Sequence, residues 1–311
     1  MRIDFRNAFF DRLFFHAKKD KNIIVLSADI SAHSFKKFEK EIPNQLINVG
    51  ITEQSMISLA AGLAMNKKKV FVFSMIPFLT MRSLEHIKID ICSHNLPVTL
   101  VGLGSGFSFD TDGHSAQGIF DIGIIKNLPE IQIFNTSDSI STQSACDELI
   151  NIKSPAYIRL DKSQVKNIYP RSKKFNKGYS ITGNGKEIAL VTTGIMANKC
   201  LDLIRNSRLK DYKKKISIID FYRLKPIQRN IINILKKFKK IIIVDENTFT
   251  GGLSSLFAEF SFINNFLKQA HFINVENKQN IFKYGNREWL HKVHNIDNSS
   301  LIKKILKVIK N

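Results

Sequence analysis

The sequence predicts an α/β fold built from two parallel-sheet domains. Short apolar runs suited to buried strands recur through both halves of the chain, and most are separated by segments with the apolar spacing of helices. Such alternation is typical of a parallel sheet covered by helices on both faces. At 311 residues the chain also exceeds one average domain, which favours two hydrophobic cores.

The strands predicted in the first half begin with IIVLSA (23–28), VFVFS (70–74) and VTLVGLG (98–104), and continue with IQIF and AYIRL. Those of the second half are IALVTTG, ISIIDF, IIIVDE and FINVE. The N-terminal MRIDFRNAFFDRLFFHAKK has the pattern of an amphipathic helix, without the apolar core of a signal peptide. No uninterrupted apolar run is long enough to span a membrane, so we expect a soluble protein.

The alternation of strand-like and helix-like segments is interrupted between the two halves. DKSQVKNIYPRSKKFNKGYSITGNGKE is polar and basic, and carries a proline and several glycines. We therefore predict a first domain at 1–162, a linker at 163–177 and a second domain at 178–311.

The amino-acid composition limits the class of protein to which this chain can belong. Hydrophobic residues make up 43% of the chain and charged residues 24%, as in an ordinary globular protein. The three cysteines show no CxxC spacing, which argues against a zinc site and favours a reducing, cytoplasmic compartment. The net charge of +20 would suit a polyanion-binding surface, but lysine, isoleucine and asparagine are abundant throughout, so we favour a compositional cause over nucleic-acid binding.

One carboxylate stands between a short strand and a helix in LINVGITEQSMISLAAGLA (46–64). Gly50 ends the strand, Thr52 can cap the helix, and Glu53 lies in the first turn. The plain interpretation is that an acidic residue is favoured there by the helix dipole.

The surrounding segment favours a chemical role. IIVLSADISAHSFKKFEKEIPNQLINVGITEQSMISLAAGLA resembles the pyrimidine-binding domain of the transketolase family, with its strand ending in Asp, its Phe and Pro, and its GI-x-EQ motif. FVFSMIPFLTMRSLEHIKIDI resembles the family's aromatic loop and F-x-x-x-R helix, and GLGSGFSFDTDGHSAQGIFD its active-site loop. The second half is similar to the family's C-terminal domain. By pattern the chain resembles the C-terminal subunit of split transketolases and the matching half of 1-deoxyxylulose-5-phosphate synthase.

This resemblance implies thiamine diphosphate as cofactor. Glu53 matches the family glutamate that hydrogen-bonds the aminopyrimidine ring and promotes proton loss from the thiazolium carbon. Phe78 matches the aromatic residue that stacks on the pyrimidine, with Phe73 as the nearby alternative. Without the resemblance, both phenylalanines would be assigned to the core.

The same resemblance implies substrate contacts. Arg82 and Glu85 can share a helix face, so Arg82 either binds a sugar phosphate or ties a dimer together through Glu85. A simple surface or interface ion pair is the alternative. Asp29 matches a family Asp near the active site, where loop capping is the alternative. His33 follows in the same loop and Gln117 lies in the active-site loop, and both are predicted to contact substrate.

The active-site loop departs from the family pattern D-G-x-T-H-Q. This chain reads DGHSAQ, so Ala116 stands where the family carries a histidine that contacts substrate. His114, two residues earlier, is the candidate replacement in catalysis, since imidazole titrates near neutrality. The alternative is that His114 only packs or faces solvent, and that the substrate differs from ordinary sugar phosphates.

The family's diphosphate-binding domain, with its GDG motif and distant Asn, has no counterpart in this sequence. The resemblance therefore implies an N-terminal partner subunit that binds the diphosphate and holds Mg²⁺ or Ca²⁺, in an α2β2 assembly, and no metal ligand in this chain. The expected activity is transfer of a two-carbon ketol unit between sugars, phosphorylated or nucleotide-linked.

Other functions remain open at this point. The β subunit of a 2-oxo acid dehydrogenase shares both domains, and its loop often carries an HSQ sequence similar to that around His114. A basic nucleic-acid-binding protein is a rival from another class, although lysine and arginine are spread rather than gathered on one face. A non-catalytic regulatory relative would explain Ala116 but not the retained Glu53.

Overall fold

The computed structural model describes residues 3–206, 208–266 and 269–310. Two α/β domains follow one another along the chain, each built on a largely parallel sheet, as the sequence predicts. None of the helices in these ranges is both long and apolar enough to cross a bilayer.

The described residues of the first half of the chain form the strands β1 (Ile3–Asp4), β2 (Ile23–Ser27), β3 (Leu46–Asn48), β4 (Lys69–Met75), β5 (Val98–Leu103), β6 (Gln132–Asn135), β7 (Ala156–Leu160) and β8 (Gln164–Val165). Those of the second half are β9 (Tyr179–Thr182), β10 (Ile188–Thr192), β11 (Ile216–Phe221), β12 (Arg223–Lys225), β13 (Lys240–Thr248) and β14 (Ala270–Val275).

The helices of the first half are α1 (Phe5–Ala17), α2 (Phe35–Glu41), α3 (Glu53–Met65), α4 (Leu84–His86), α5 (Asp121–Ile125) and α6 (Ser139–Leu149). Helix α4 lies between two π-helical segments, Phe78–Arg82 and Ile87–Cys92. Those of the second half are α7 (Ile195–Asn206), α8 (Ile231–Leu235), α9 (Leu253–Ile263), α10 (Arg287–Val293) and α11 (Asn298–Lys310).

The first sheet has the order β12-β6-β7-β5-β4-β2-β3, in which all pairs are parallel except β12 with β6. Side chains alternate across it because successive residues of a strand point to opposite faces. In β4, Phe71 and Phe73 pack in the core formed with α1, whereas Val70 and Val72 pack in the core formed with α3. Ser74 therefore points to the α3 side of the sheet.

The carboxyl ends of the parallel strands meet at one edge of the first sheet. The segments after β2, β3, β4 and β5 carry, respectively, Asp29, Glu53, Phe78 and the loop 104–118. Loops at this edge are the usual ligand sites of parallel sheets. The fold thus brings the four predicted site segments to one side of the domain.

The second sheet has the order β14-β13-β10-β11-β9, with β9 as its one antiparallel edge strand. Buried aliphatic residues fill both faces of β10, β11 and β13. The C-terminal helix α11 turns Leu301 and Ile305 toward this domain's core and its lysines toward solvent. The predicted linker 163–177 includes β8, which pairs with β1 near the start of the chain.

Buried polar contacts join the two domains. β12, from the second half of the chain, pairs with β6 at the edge of the first sheet. Asp220 of β11 accepts hydrogen bonds from the hydroxyls of Ser137 and Tyr169, both at 2.6 Å. Burial raises the pKa of Asp220 to about 7, although these two hydrogen bonds oppose the shift. Gly123 and Gly251 approach so closely that a Cβ on Gly123 would lie 2.8 Å from the Cα of Gly251.

Candidate active site

Glu53 is the first residue of α3, and its side chain is buried, with 2% of its surface exposed. Ser74 Oγ donates a hydrogen bond to Glu53 Oε1 at 3.2 Å, and Arg82 Nη1 donates to Oε2 at 2.7 Å. A first-turn carboxylate that served only the helix dipole would lie in solvent, where such residues are commonly found. A buried carboxylate instead requires the paired charge and the hydrogen bond seen here.

Arg82 contacts two of the predicted cofactor residues, Glu53 and Phe78. Its guanidinium carbon lies 4.3 Å from the centre of the partly buried Phe78 ring, while Nη1 reaches Glu53. The π-helical segment Phe78–Arg82 places the two side chains on one side of the turn. Within this chain Arg82 therefore forms its ion pair with Glu53 and not with Glu85. A role of Arg82 and Glu85 in joining two subunits stays a prediction. A phosphate contact by Arg82 stays a prediction.

Phe73 is not available to a cofactor. Its ring is fully buried on the opposite face of the sheet from Ser74, with ring centres of Phe10 and Phe35 at 4.7 and 5.8 Å. The alternation of side chains in β4 causes this, because Phe73 and Ser74 are adjacent. The structure corrects the sequence prediction on this residue and leaves Phe78 as the candidate ring.

Asp29 and His33 lie on the loop after β2. Asp29 adopts a left-handed backbone with φ +52°, its N–H donates to Asn48 Oδ1 at 3.1 Å, and its carboxylate accepts from Asn48 Nδ2 at 3.2 Å. Asn48 also accepts from the N–H of Gly50, so Asp29 is tied to the segment that leads into Glu53. His33 is exposed, and its backbone N–H donates to Asn7 Oδ1. Substrate contact by either residue stays a prediction.

The loop 104–118 is closed on itself by backbone hydrogen bonds from Gly118 N–H to the carbonyls of Gly104 and Gly106. Ala116 is buried, so the position where the family carries its histidine points into the protein. Gln117 is only 3% exposed, and neither its amide oxygen nor its amide nitrogen has a partner among the described residues. Buried amides are normally satisfied, so Gln117 retains unused hydrogen-bonding capacity beside the loop.

His114 is exposed and contacts the second domain. Its ring centre lies 5.3 Å from that of Phe282 and 5.4 Å from that of Tyr284, edge to face in both cases. The structure thus places His114 at the seam between the domains, whereas Ala116 lies inside the loop. Substitution of the missing histidine by His114 stays a prediction.

Sequence reasoning missed the buried charges that hold the loop. Arg159, in β7, is fully buried and donates to Asp121 Oδ2 at 2.7 Å, to the carbonyl of Gly118 at 2.7 Å and to Asn247 Oδ1 at 2.9 Å. Tyr157 donates to the same oxygen of Asp121 at 2.6 Å. Burial opposes the charge on Arg159, but Asp121 outweighs it and raises the pKa of Arg159 above its ordinary value.

The strand AYIRL already indicates in the sequence that Arg159 needs a buried partner. An arginine inside an apolar strand that is buried on both faces must find a partner, because an unpaired buried charge is too costly. The sequence does not say which carboxylate supplies that partner, since Arg159 and Asp121 are 38 residues apart.

A second missed group lies at the domain seam around Arg287. Its guanidinium pairs with Asp161 at 2.9 Å and with Glu246, and it donates to Ser163 Oγ at 2.9 Å. Burial alone would raise the pKa of Glu246, but Arg287 and then His291 outweigh it and hold that pKa far below its usual range. These ion pairs link the end of β7 to the second domain.

Among the described residues no group of three or more His, Cys, Asp or Glu side chains is arranged to hold a metal ion. The candidate site instead offers the paired carboxylate of Glu53 and the amide of Gln117, which has no partner among the described residues.

Comparison with known proteins gives two family matches. Residues 1–167 match the model of the transketolase pyrimidine-binding domain, and residues 179–292 match that of the transketolase C-terminal domain. These matches confirm the resemblance predicted from the sequence.

Individual proteins that are similar to this chain support the same family. The B subunit of apulose-4-phosphate transketolase from Actinobacillus succinogenes is 32% identical over 256 residues, covering 81% of this chain and 82% of the relative. 1-Deoxy-D-xylulose-5-phosphate synthase of Clostridium kluyveri is 27% identical over 311 residues, covering 98% of this chain and 49% of the enzyme. A solved structure described as a split gene transketolase, inactive beta4 tetramer, superimposes with a TM-score of 0.86 at 26% identity, covering 98% of both chains.

Proposed function

Because this chain belongs to the transketolase family, we propose that it is the pyrimidine-binding subunit of a split, thiamine-diphosphate-dependent transketolase. The enzyme would transfer a two-carbon ketol unit from a ketose to an aldose, and would act only when this chain is joined to a diphosphate-binding subunit. The observation that carries the proposal is the buried carboxylate of Glu53, held at the start of α3 and linked through Arg82 to the ring of Phe78.

The residues present fit the pyrimidine half of thiamine diphosphate. Glu53 offers a carboxylate that is shielded from solvent, and Phe78 offers a partly buried aromatic face connected to it through Arg82. An aminopyrimidine needs these two chemical features: a hydrogen-bonding partner for a ring nitrogen and an apolar surface for the ring. When bound, the cofactor would supply a carbon nucleophile able to attack a ketose carbonyl.

The role of Glu53 is to exchange a proton with the pyrimidine ring. Its two oxygens are positioned by different donors, Ser74 on Oε1 and Arg82 on Oε2, so the carboxylate cannot rotate freely. Fixed geometry and exclusion of water both favour proton transfer along one direction. Arg82 balances the negative charge, and Phe78 offers its ring face to the pyrimidine.

Gln117 and Asp29 are proposed as substrate contacts. The free amide of Gln117 can donate to one sugar oxygen and accept from a hydroxyl, which the buried Ala116 cannot do. Asp29 lies at the same strand edge and can accept from a hydroxyl. His33 and His114 complete the set of polar groups that we assign to the substrate side.

The second polypeptide would bring the diphosphate site and its divalent cation, Mg²⁺ or Ca²⁺. Support comes from the apulose-4-phosphate transketolase relative, which is itself one subunit of an enzyme, and from the structure described as a split gene transketolase. The outer face of α3 adds to this support, because Leu59 and Met65 are exposed there together with Ile51 just before the helix. Exposed apolar side chains on the helix that carries Glu53 suit an interface with another polypeptide, which we propose to form an α2β2 assembly.

The substrates are proposed only as a class. The names of the two relatives reported above refer to different sugars, so neither substrate transfers to this chain. Replacement of the family histidine by Ala116 also changes the hydrogen bonds offered to the sugar. A ketose donor and an aldose acceptor, phosphorylated or nucleotide-linked, are the class that we propose.

The test is reconstitution. The tagged chain is used to capture a polypeptide that carries the GDG motif, and binding of thiamine diphosphate with Mg²⁺ is measured by calorimetry for each of the two polypeptides and for the mixture. We expect strong binding and ketol transfer only in the mixture. Strong binding by this chain alone would contradict the proposal. Oxidation of a 2-oxo acid with an artificial electron acceptor would instead support a 2-oxo acid dehydrogenase subunit.

A further inference from the structure

The second domain contacts residues 109–118, the second part of the loop 104–118, at Asp110, Gly113 and His114. The backbone N–H of Arg287 donates to Asp110 Oδ2 at 3.3 Å, the ring of Tyr284 packs on Gly113, and His114 meets Phe282 and Tyr284. All three contacts come from the segment 282–287, which leads into α10. The loop is therefore supported from outside its own domain.

The backbone conformation of Gly113 and the space around it suit the contact with Tyr284. Its backbone has φ +84° and ψ −177°, a conformation that is essentially restricted to glycine. A Cβ built on Gly113 would lie 2.0 Å from Cε1 of Tyr284, so any side chain would displace the tyrosine ring. Two independent features, the backbone angle and the close approach, thus reserve this position for glycine under Tyr284.

The two rings flank the imidazole of His114 edge to face. Both remain largely open to solvent, Phe282 at 46% exposure and Tyr284 at 61%, so they form no part of the hydrophobic core. Single exposed aromatic side chains are common on protein surfaces, so what these two rings contact matters more than their exposure. Here the contact is with the histidine of the loop itself.

We propose that Tyr284 and Phe282 are positioning residues of the second domain, which hold the loop 109–118 so that His114 faces substrate. The proposal deepens the function proposed above and rests on it, since it gives the C-terminal domain a part in the substrate side of the site. Tyr284 acts through its ring, by packing on Gly113 and edge to face against His114. Its hydroxyl is not required.

The first experiment uses the isolated chain and does not depend on activity. Histidine is labelled with ¹³C, and the His114 resonance is identified by its loss in His114→Asn. In Tyr284→Ala we expect this resonance to move toward that of a free imidazole, and cleavage within 109–118 by thermolysin to rise about tenfold, because local opening exposes the loop. Tyr284→Phe should match the parent in both measurements.

A matched control separates this effect from general loss of an exposed ring. Phe262 is a largely exposed phenylalanine of α9 in the same domain, and Phe262→Ala should leave both the His114 resonance and loop cleavage unchanged. If Tyr284→Ala also leaves them unchanged, the proposal is overturned, whatever the enzyme's activity.

The second experiment uses the reconstituted enzyme. We expect Tyr284→Ala to raise KM for the sugar about tenfold with a smaller change in kcat and with unchanged binding of thiamine diphosphate, and Tyr284→Phe to restore the parental KM. Equal loss of cofactor binding in Tyr284→Ala would contradict a role on the substrate side. If the parent enzyme shows no ketol transfer, the proposed function fails, while the loop measurements still decide whether Tyr284 holds the loop.

Discussion

The guanidinium of Arg82 contacts both the carboxylate of Glu53, at 2.7 Å, and the ring of Phe78, at 4.3 Å from its centre. One flexible side chain thus joins the acid and the aromatic face that we assign to the cofactor. The carboxylate is buried, whereas Arg82 is nearly half exposed, so the pair lies at the boundary between protein and solvent. Because Glu53 is buried and Arg82 is not, substitutions of the two residues should have different effects.

Replacing Glu53 by glutamine should abolish activity and keep the fold. Glutamine preserves the shape of the side chain and can still accept from Ser74, but it cannot take up a proton from the pyrimidine. We expect ketol transfer by the reconstituted enzyme to fall by at least about 100-fold. Thermal unfolding of the isolated chain, followed by circular dichroism, should remain cooperative.

Glu85→Gln is the matched control for Glu53→Gln. Glu85 is an exposed carboxylate only three residues after Arg82, so its loss removes the same charge from a nearby position outside the buried pair. We expect activity within about twofold of the parent, because a surface substitution away from the site changes little. Substantial turnover in Glu53→Gln would refute the role of Glu53.

Replacing Arg82 by glutamine should destabilise the isolated chain. The substitution leaves the Glu53 carboxylate buried without its counter-ion, which costs about 3–5 kcal/mol for a fully buried pair. Because Arg82 is nearly half exposed, solvent screening reduces the expected loss to about 1–2 kcal/mol. Urea unfolding of the parent and of the variant measures the difference.

The double variant Glu53→Gln/Arg82→Gln provides the comparison. Without the buried charge, loss of Arg82 should cost less than it does in the parent, and the difference gives the coupling between the two side chains. Additive effects would show that the ion pair contributes nothing to the stability of this chain.

Arg159→Met should be far more destabilising than a surface arginine substitution. It removes the counter-ion of Asp121 and the donors to Gly118 and Asn247, all in the buried region between the domains. We expect a loss of about 3–5 kcal/mol by urea unfolding. Arg12→Met is the control, since the partly exposed pair of Arg12 with Asp147 should cost under about 1 kcal/mol. Similar losses in both variants would contradict the structural role assigned to Arg159.

Asp220→Asn should change the pH dependence of stability. The pKa of Asp220 is about 7 in the folded chain, above its ordinary value of 3.8, so the folded state binds the extra proton. The contribution of Asp220 is therefore most favourable below about pH 4 and is lost as pH rises toward 7. Asparagine resembles the protonated acid and can still accept from Ser137 and Tyr169.

The variant should accordingly match the parent near pH 4 and exceed it at pH 8 by up to about 4 kcal/mol. Urea unfolding at a series of pH values measures this difference. A constant difference across the series would mean that Asp220 does not titrate in this range.

Much of the fold was predictable because it depends on local patterns. The apolar runs identified the buried strands, and the short strand, Gly50 and Glu53 placed an acid at the start of a helix. Phe73 was harder, because alternation places Phe73 and Ser74 on opposite faces but does not say which face α3 covers. The long-range partners were not predictable: Arg159 signals the need for an acid in AYIRL, but only the folded chain selects Asp121.

The residues that join the two domains could not be predicted from the sequence either. Charged side chains such as Arg287 and Glu246 look like ordinary surface residues until the two domains bring them together. Their pairing depends on the arrangement of β7, β13 and α10, which no local pattern encodes. Tyr284 is a similar case, since its contact with Gly113 joins positions in different domains of the chain.

Strand β12 gives the first sheet an edge that its own half of the chain does not provide. Cutting the polypeptide after the linker would strip β6 of this neighbour and leave a row of unpaired amides and carbonyls open to other molecules. The N-terminal fragment would then tend to self-associate through β6, even though most of its own core is intact. The first domain thus depends on the second half of the chain to cover this edge, and an isolated pyrimidine-binding fragment would be a poor surrogate for the whole chain.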